Sequence, residues 1–250
     1  MIDLNADLGE SFGAWTMGAD EALLDHVTSA SIACGFHDGD PRTMDSAVAM
    51  AAARGVAIGA HVSYPDLVGF GRRQIRVSAA ELITDVLYQL GALDAFCRRH
   101  TTAVRYVKAH GALYNDLAGD QQLAAALGQA VAAYNPDLSV LLLAGSPAVG
   151  VLRSQGLRVV AEGFADRGYA ADGRLVPRSQ PGALLTDPAQ VAERGWRIAT
   201  GEPIEASDGS PLVLSVDSLC LHGDTPGAVD IARELRAVLG ARTVEVASFA

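Results

Sequence analysis

Apart from its arginines, the chain has seven basic side chains, six histidines and one lysine, and five of them fall into one pattern. His37, His61, Lys108, His110 and His222 each end or closely follow an apolar run of strand length. Other polar groups stand beside them at the same places. Asp7 and Glu10 follow the first run, Asp38 and Asp40 the second, and Tyr64, Asp66, Arg72 and Arg73 the third. Tyr114 and Asn115 follow the fourth run, Asp166, Arg167, Tyr169 and then Arg178 the sixth, and Asp224 the seventh. Imidazoles and carboxylates gathered at one place can exchange protons with a substrate, while ammonium and guanidinium groups hold negative charge. A single strand-end histidine is ordinarily structural, bonded to a nearby carbonyl. Four of them with a lysine at equivalent edges are not explained by packing. His26 and His100 sit at helix ends, where an imidazolium suits the dipole, and are assigned no chemistry.

Lys108 is the only lysine among 19 basic residues, the rest being arginine. A bias toward arginine explains surface positions. A lysine kept against that bias points to a need for a compact ammonium whose pKa can be tuned. Gly69-Phe70-Gly71-Arg72-Arg73 offers paired guanidiniums on a glycine-flexed loop, suited to a carboxylate or phosphate, or else to salt bridges with its neighbours. Asp166 and Arg167 carry the same two readings. His37-Asp-Gly39-Asp40-Pro41 and His222-Gly223-Asp224-Thr-Pro226 each place a histidine before a proline-started helix, whose free N–H groups could hold an anion.

The elements that must position these groups alternate. Strands are expected at 2–8, 28–34, 56–61, 104–109, 139–144, 157–161 and 212–216, the last with room to run on to 221, and an eighth at 243–247. Helices are expected at 19–27, 41–54, 120–134 and 147–155. Three more open at the Ser78–Glu81 capping box, at Asp187-Pro188 and at Thr225-Pro226. The polar segment 63–76 is a long loop, and 163–186 is too long for a plain connection, which marks it as functional. Strands alternating with helices imply a parallel sheet. An open doubly wound sheet is the alternative, but neither GxGxxG nor GxxxxGK[ST] occurs. A closed or nearly closed single-domain (β/α) barrel of seven or eight strands over 1–250 is favoured, and it brings the strand ends to one rim.

Composition sets limits. The net charge of −10 argues against a nucleic-acid or anionic-membrane surface. No run reaches the roughly 18 apolar residues of a membrane span. The first ten residues hold three acids and no base, the wrong sign for a leader, so a cytoplasmic location is expected. Cys34, Cys97 and Cys220 have no CxxC spacing and read as reduced core residues.

Seven motifs in order then carry a resemblance: LNADLGESFG (4–13), IACGFHDGDP (32–41), GAHVSYPDLVGFGRR (59–73), VKAHGALYN (107–115), FADRGY (164–169), LVPRSQPGA (175–183) and LHGDTPGAV (221–229). Over essentially its whole length the chain resembles the LamB/YcsF family. It departs from the family pattern at Ser31 (usually Asn), Asp38 (commonly Ala) and Val62 (commonly Pro). The resemblance implies a barrel related to polysaccharide deacetylases and a part in ATP-dependent hydrolysis of 5-oxo-L-proline to L-glutamate. It also implies a complex with 5-oxoprolinase subunits B and C. ATP with Mg2+ is the expected cofactor, and no tightly bound organic cofactor is expected.

Such a reaction needs cations for phosphate, an anchor for the substrate carboxylate and a base for water. Lys108 is assigned the phosphate or oxyanion, and Arg72, Arg73 or Arg178 the carboxylate. Asp7, His37, His61 or His110 supplies the base. Glu10, Asp166, Arg167, His222 and Asp224 complete the expected substrate-binding set. Asp7, His37 and His61 are the candidate ligands should the barrel hold its own metal. Two rival readings remain: a metal-dependent, deacetylase-like hydrolase acting alone, and a non-catalytic module that binds a small acid for a partner.

Overall fold

Alternation along the first strand sets the two surfaces of the fold. In β1 (Asp3–Leu8) the apolar residues Leu4, Ala6 and Leu8 alternate with Asp3, Asn5 and Asp7, yet all six are buried. The polar face must therefore point into the molecule as well. The computed structural model, which describes residues 1–223, 225 and 227–250, shows where it points.

Seven parallel strands close into a barrel in the order β1, β2 (Ser29–Ala33), β3 (Ala57–Val62), β4 (Val104–Ala109), β5 (Ser139–Leu143), β6 (Arg158–Phe164) and β9 (Ser218–His222). The last of these pairs with both β6 and β1. Between β6 and β9 lies a two-stranded antiparallel hairpin of β7 (Ile204–Glu205) and β8 (Pro211–Leu212). The helices are α1 (Asp20–Leu24), α2 (Pro41–Ala53), α3 (Ala79–Arg99), α4 (Gly111–Gly119), α5 (Gln121–Tyr134), α6 (Pro147–Ser154), α7 (Pro188–Thr200) and α8 (Ala228–Ala241). No helix among the described residues is long and apolar enough to cross a membrane.

Residues paired in a parallel register share a face of the sheet. Asp7 pairs with Ser31 and with His222, Ser31 with Gly59, and His61 with Lys108. Most polar strand residues thus line the barrel interior, and most apolar ones pack outward under the helices. Asp3 illustrates the interior: its carboxylate accepts from Thr28 Oγ1 at 2.6 Å, Ser29 Oγ at 2.7 Å and Ser218 Oγ. Tyr106, Leu141 and Val160 form a separate apolar plug with Phe249, whose ring centroid lies 5.3 Å from that of Tyr106.

Four expectations need correction. The seventh barrel strand is 218–222, whereas 211–212 belongs to the surface hairpin, where Val213 is exposed. The segment 243–247 makes a single bridge, Ile2 to Val246, because β9 already pairs with β1 and leaves no place for an eighth strand. It leads instead to the plug, with Ser248 Oγ 3.2 Å from Ser29 Oγ. The helix α4 begins immediately after His110, in a stretch for which no element was expected. Finally, the first-turn N–H groups of α2 are not open to a ligand anion: Asp40 accepts from Arg42 N and Thr43 N, and also from Gly13 N at 2.7 Å. The expected helix start at Pro226 and the candidate Asp224 lie outside the described residues.

Candidate active site

Lys108 enters the barrel from β4 and is 1% exposed. Its ammonium donates to Asp7 Oδ1 at 2.7 Å, Cys220 Sγ at 3.0 Å and Asn5 Oδ1 at 3.1 Å, and Glu162 Oε1 lies 2.9 Å away. All three of its protons are committed. Burial alone would lower the Lys108 pKa, but the neighbouring charges, Asp7 foremost, raise it well above the usual lysine range. Burial likewise opposes ionisation of Asp7, and His61 and Lys108 outweigh it and hold the carboxyl well below its usual range. The two charges are locked together.

Beside this pair stand three imidazoles. His61 Nε2 is 3.4 Å from Asp7 Oδ2 and 3.0 Å from His110 Nδ1. His37 stacks on His110, with centroids 3.8 Å apart and planes 6° from parallel. Burial and the adjacent imidazoles hold His37 and His110 well below the ordinary histidine pKa, so both are neutral at pH 7. Glu10 Oε1 completes the group, 3.2 Å from His37 Nε2 and 3.4 Å from His110 Nδ1.

Local structure holds each ring. His61 Nδ1 donates to the Lys108 carbonyl at 3.2 Å, and His110 Nε2 donates to the Phe70 carbonyl at 2.9 Å. Ser63 Oγ donates to the Tyr64 carbonyl, which leaves it to accept from His37 Nδ1 at 3.0 Å. Ser63 is itself gripped through its backbone by the buried Gln89 amide of α3. The loop over the stacked rings crosses at Gly71, which has φ 63°; a Cβ there would come within 2.7 Å of His110 Cδ2 and 2.9 Å of His37 Cβ.

Above the pair opens a cavity of about 460 Å³ whose walls carry Arg72, Arg167, Arg174 and Arg178 and whose lining includes Asp7, His61, Lys108 and His110. The loop between β6 and α7 supplies Arg167, Arg174 and Arg178. Burial, aided by Arg178, lowers the Arg167 pKa to about 10, still fully charged at neutral pH, and Arg167 donates to the carbonyls of Ala183 and Val176. Asp166 faces His222, accepting from its backbone N at 3.2 Å and lying 2.9 Å from Nδ1. It positions His222, whose ring also stacks on Phe164 at 5.4 Å.

Of the expected catalytic residues, Asp7, His37, His61, Lys108 and His110 all join one connected cluster. Glu10 stands with the imidazoles and is not among the residues that line the cavity. Arg73 is also not part of the lining: its guanidinium pairs with Asp66 in the 63–78 loop, the salt-bridged alternative read from sequence. Asp7, His37 and His61, the candidate ligands should the barrel hold a metal, do not fall in one group, since Asp7 stands with Cys220 and His222. Glu10, His37, His61 and His110 do form one group, while Asp7 is engaged by Lys108.

Asn5, Glu162, Cys220 and Arg174 are site residues that sequence reasoning missed. Asn5 alternates in step with Asp3 and Asp7, a usable signal, and Glu162 interrupts an otherwise apolar stretch of β6. Cys220 in an apolar run gives no signal. The Ser31 hydroxyl, at a position of family departure, lies 3.1 Å from the Tyr106 hydroxyl and keeps a polar role.

The model of the LamB/YcsF family matches residues 2–250. The chain is 53% identical over 249 residues to the 5-oxoprolinase A-type subunit numbered 3 of Pseudomonas syringae pv. tomato, covering 100% of this chain and 97% of that protein. It superposes on the crystal structure of the lactam utilization protein from Thermus thermophilus with a TM-score of 0.94 and 45% identity, covering 99% of each chain. A family 4 carbohydrate esterase from Streptomyces lividans, 11% identical, shares the fold alone, with a TM-score of 0.50, covering 99% of this chain and 90% of that one.

Proposed function

Because the chain belongs to the LamB/YcsF family, we propose that it is the lactam-handling component of an ATP-dependent 5-oxoprolinase, opening 5-oxo-L-proline to L-glutamate together with subunits B and C. The observation that carries this reading is the cavity: four arginines on its walls and a fixed carboxylate with three imidazoles at its lining. A lactam acid brings one carboxylate, and a phosphorylated intermediate brings more negative charge. Guanidiniums recognise both through paired hydrogen bonds.

A five-membered lactam is an unreactive amide. Transfer of the γ-phosphoryl group of ATP to the lactam oxygen, with ADP leaving, activates the ring carbon. One water adds there and the ring C–N bond breaks to give the free amine and an acyl phosphate, which a second water hydrolyses to the carboxylate and inorganic phosphate. Arg72, Arg167, Arg174 and Arg178 hold the anionic groups. Lys108, with its protons already committed, acts chiefly by keeping Asp7 ionised and aimed. Asp7 orients the water, but its depressed pKa makes it a weak base by itself. His61 stands beside it, 3.4 Å from the carboxylate.

A second reading, hydrolysis by this chain alone without ATP, draws on the three imidazoles and Glu10. One experiment separates the two: glutamate release from 5-oxoproline, measured with the chain alone and with subunits B and C, each with and without ATP and Mg2+. The proposal expects glutamate only from the full mixture with ATP. Release by the chain alone without ATP would establish the second reading. Full turnover after His61→Ala and Arg178→Ala in the complete mixture would remove this cavity from the reaction.

A further inference from the structure

The three inner imidazole nitrogens pose a problem of hydrogen bonding. His61 Nδ1 and His110 Nε2 lie 3.2 and 2.9 Å from backbone carbonyls, which can only accept, so these nitrogens carry the protons. The opposite nitrogens, His61 Nε2 and His110 Nδ1, are then both bare when the rings are neutral, and they face each other at 3.0 Å. His37 follows the same logic through Ser63, and its bare Nε2 faces Glu10 Oε1 at 3.2 Å. The three bare nitrogens and Glu10 Oε1 gather within 4.8 Å of one another, and because the His37 and His110 planes lie 6° from parallel, one of these rings must tilt out of the stack for both lone pairs to meet at one point.

We infer that Glu10, His37, His61 and His110 form a binding site for one divalent transition-metal ion. One ligand atom from each lies within 4.8 Å of all the others, and all four residues are buried. A tetrahedral ion with bonds of about 2.1 Å sets its ligand atoms about 3.4 Å apart. The measured separations of 3.0, 3.2, 3.4 and 3.9 Å bracket that value. Metal-bound histidines characteristically donate their outer N–H to a carbonyl or another fixed acceptor, and all three rings do so here.

The ligands come from the loops after β1 and β2, from β3 and from the end of β4, so the barrel itself fixes their spacing. Three imidazoles with one carboxylate favour Zn2+, Co2+ or a similar ion over Mg2+, which prefers an all-oxygen shell. His61 and His110 also line the cavity, so a bound ion would stand at its wall, where it could lower the pKa of water beside Asp7.

Binding is measured directly and does not depend on the lactam reading. The purified full chain, stripped with a chelator and dialysed, is titrated with Zn2+, Co2+ and Mg2+ by calorimetry, with metal content checked by mass spectrometry. The expected result is one equivalent of Zn2+ or Co2+ bound at least about 100-fold more tightly than Mg2+. Co2+ should develop visible d–d bands typical of a low-coordinate nitrogen and oxygen site. Glu10→Gln and His110→Gln, with unaltered circular dichroism, should each weaken Zn2+ by about tenfold or more. Should either variant fail to fold, the Co2+ spectrum of the unaltered chain decides. Zn2+ affinity no better than that of Mg2+, Co2+ bands of an octahedral aquo ion, or unaffected affinity in both folded variants would overturn the site. A chain that binds Zn2+ but yields no glutamate under any condition keeps this inference and loses the functional proposal; activity undiminished in the metal-free protein does not rescue a failed titration.

Discussion

At the scale of single residues, the cluster turns on charge held out of water. Lys108 pairs with two buried acidic side chains, Asp7 and Glu162, and removing one member of such a group leaves its partners uncompensated. Lys108→Met should therefore lower stability by about 3–5 kcal/mol at pH 7, measured by urea unfolding. Lys108→Arg should not restore it, since a planar guanidinium cannot present its donors in the same compact geometry.

The pH dependence has a definite sign. In the native chain the depressed Asp7 pKa contributes stability that is present above the unfolded value near 3.8 and is lost only as pH falls through the lower folded value. The raised Lys108 pKa contributes stability that is full below its unfolded value near 10.5 and is lost as pH rises through the higher folded value. Between about pH 5 and 9 the pair gives a flat profile. In Lys108→Met the burial of Asp7 is less opposed and its pKa rises, so stability should fall as pH increases from about 4 to 7. A Lys108→Met profile as flat as that of the native chain would contradict the pairing.

At the scale of elements, the interior of the barrel depends on where a side chain is missing. Gly59 on β3 lies opposite Tyr106 on β4, and a Cβ at Gly59 would overlap the Tyr106 ring. That ring is fully buried, its hydroxyl meets Ser31, and it packs against Phe249, so it has nowhere to move. Gly59→Ala, although a single methyl, should destabilise by about 1–3 kcal/mol, read as a lower midpoint of chemical denaturation. Gly55→Ala, at a surface helix end with open space around it, should cost less, its penalty being confined to φ 66°. Equal losses at both positions would remove the steric account.

At the scale of the whole molecule, closure joins the first strand to the last: β1 pairs with β2 on one side and β9 on the other, and the C-terminal segment plugs the interior. No subset of strands completes the core without the rest. Unfolding followed by far-UV circular dichroism and by tryptophan fluorescence should therefore give coincident transitions. Separated midpoints would show that part of the barrel persists alone.

The sequence by itself determined the alternating strands and helices, the barrel class and the five residues Asp7, His37, His61, Lys108 and His110. These were legible because period-two patterning marks a strand and the polar residue at its end marks the rim. It could not separate 211–212 from 218–222 as the last barrel strand, since both read as apolar and extended, and only closure against β1 selects one. Nor could it assign partners within the site. Arg72 and Arg73 are neighbours in the chain, yet one lines the cavity and the other pairs with Asp66. Glu162 and Asn5 became members only when register brought them beside Lys108, and Glu10 replaced Asp7 among the converging imidazoles. The physical reason is that local pattern fixes which face a residue takes. Which residues meet across the barrel depends on strand register and closure, and these follow from contacts between residues as far apart in the chain as Asp7 and Lys108.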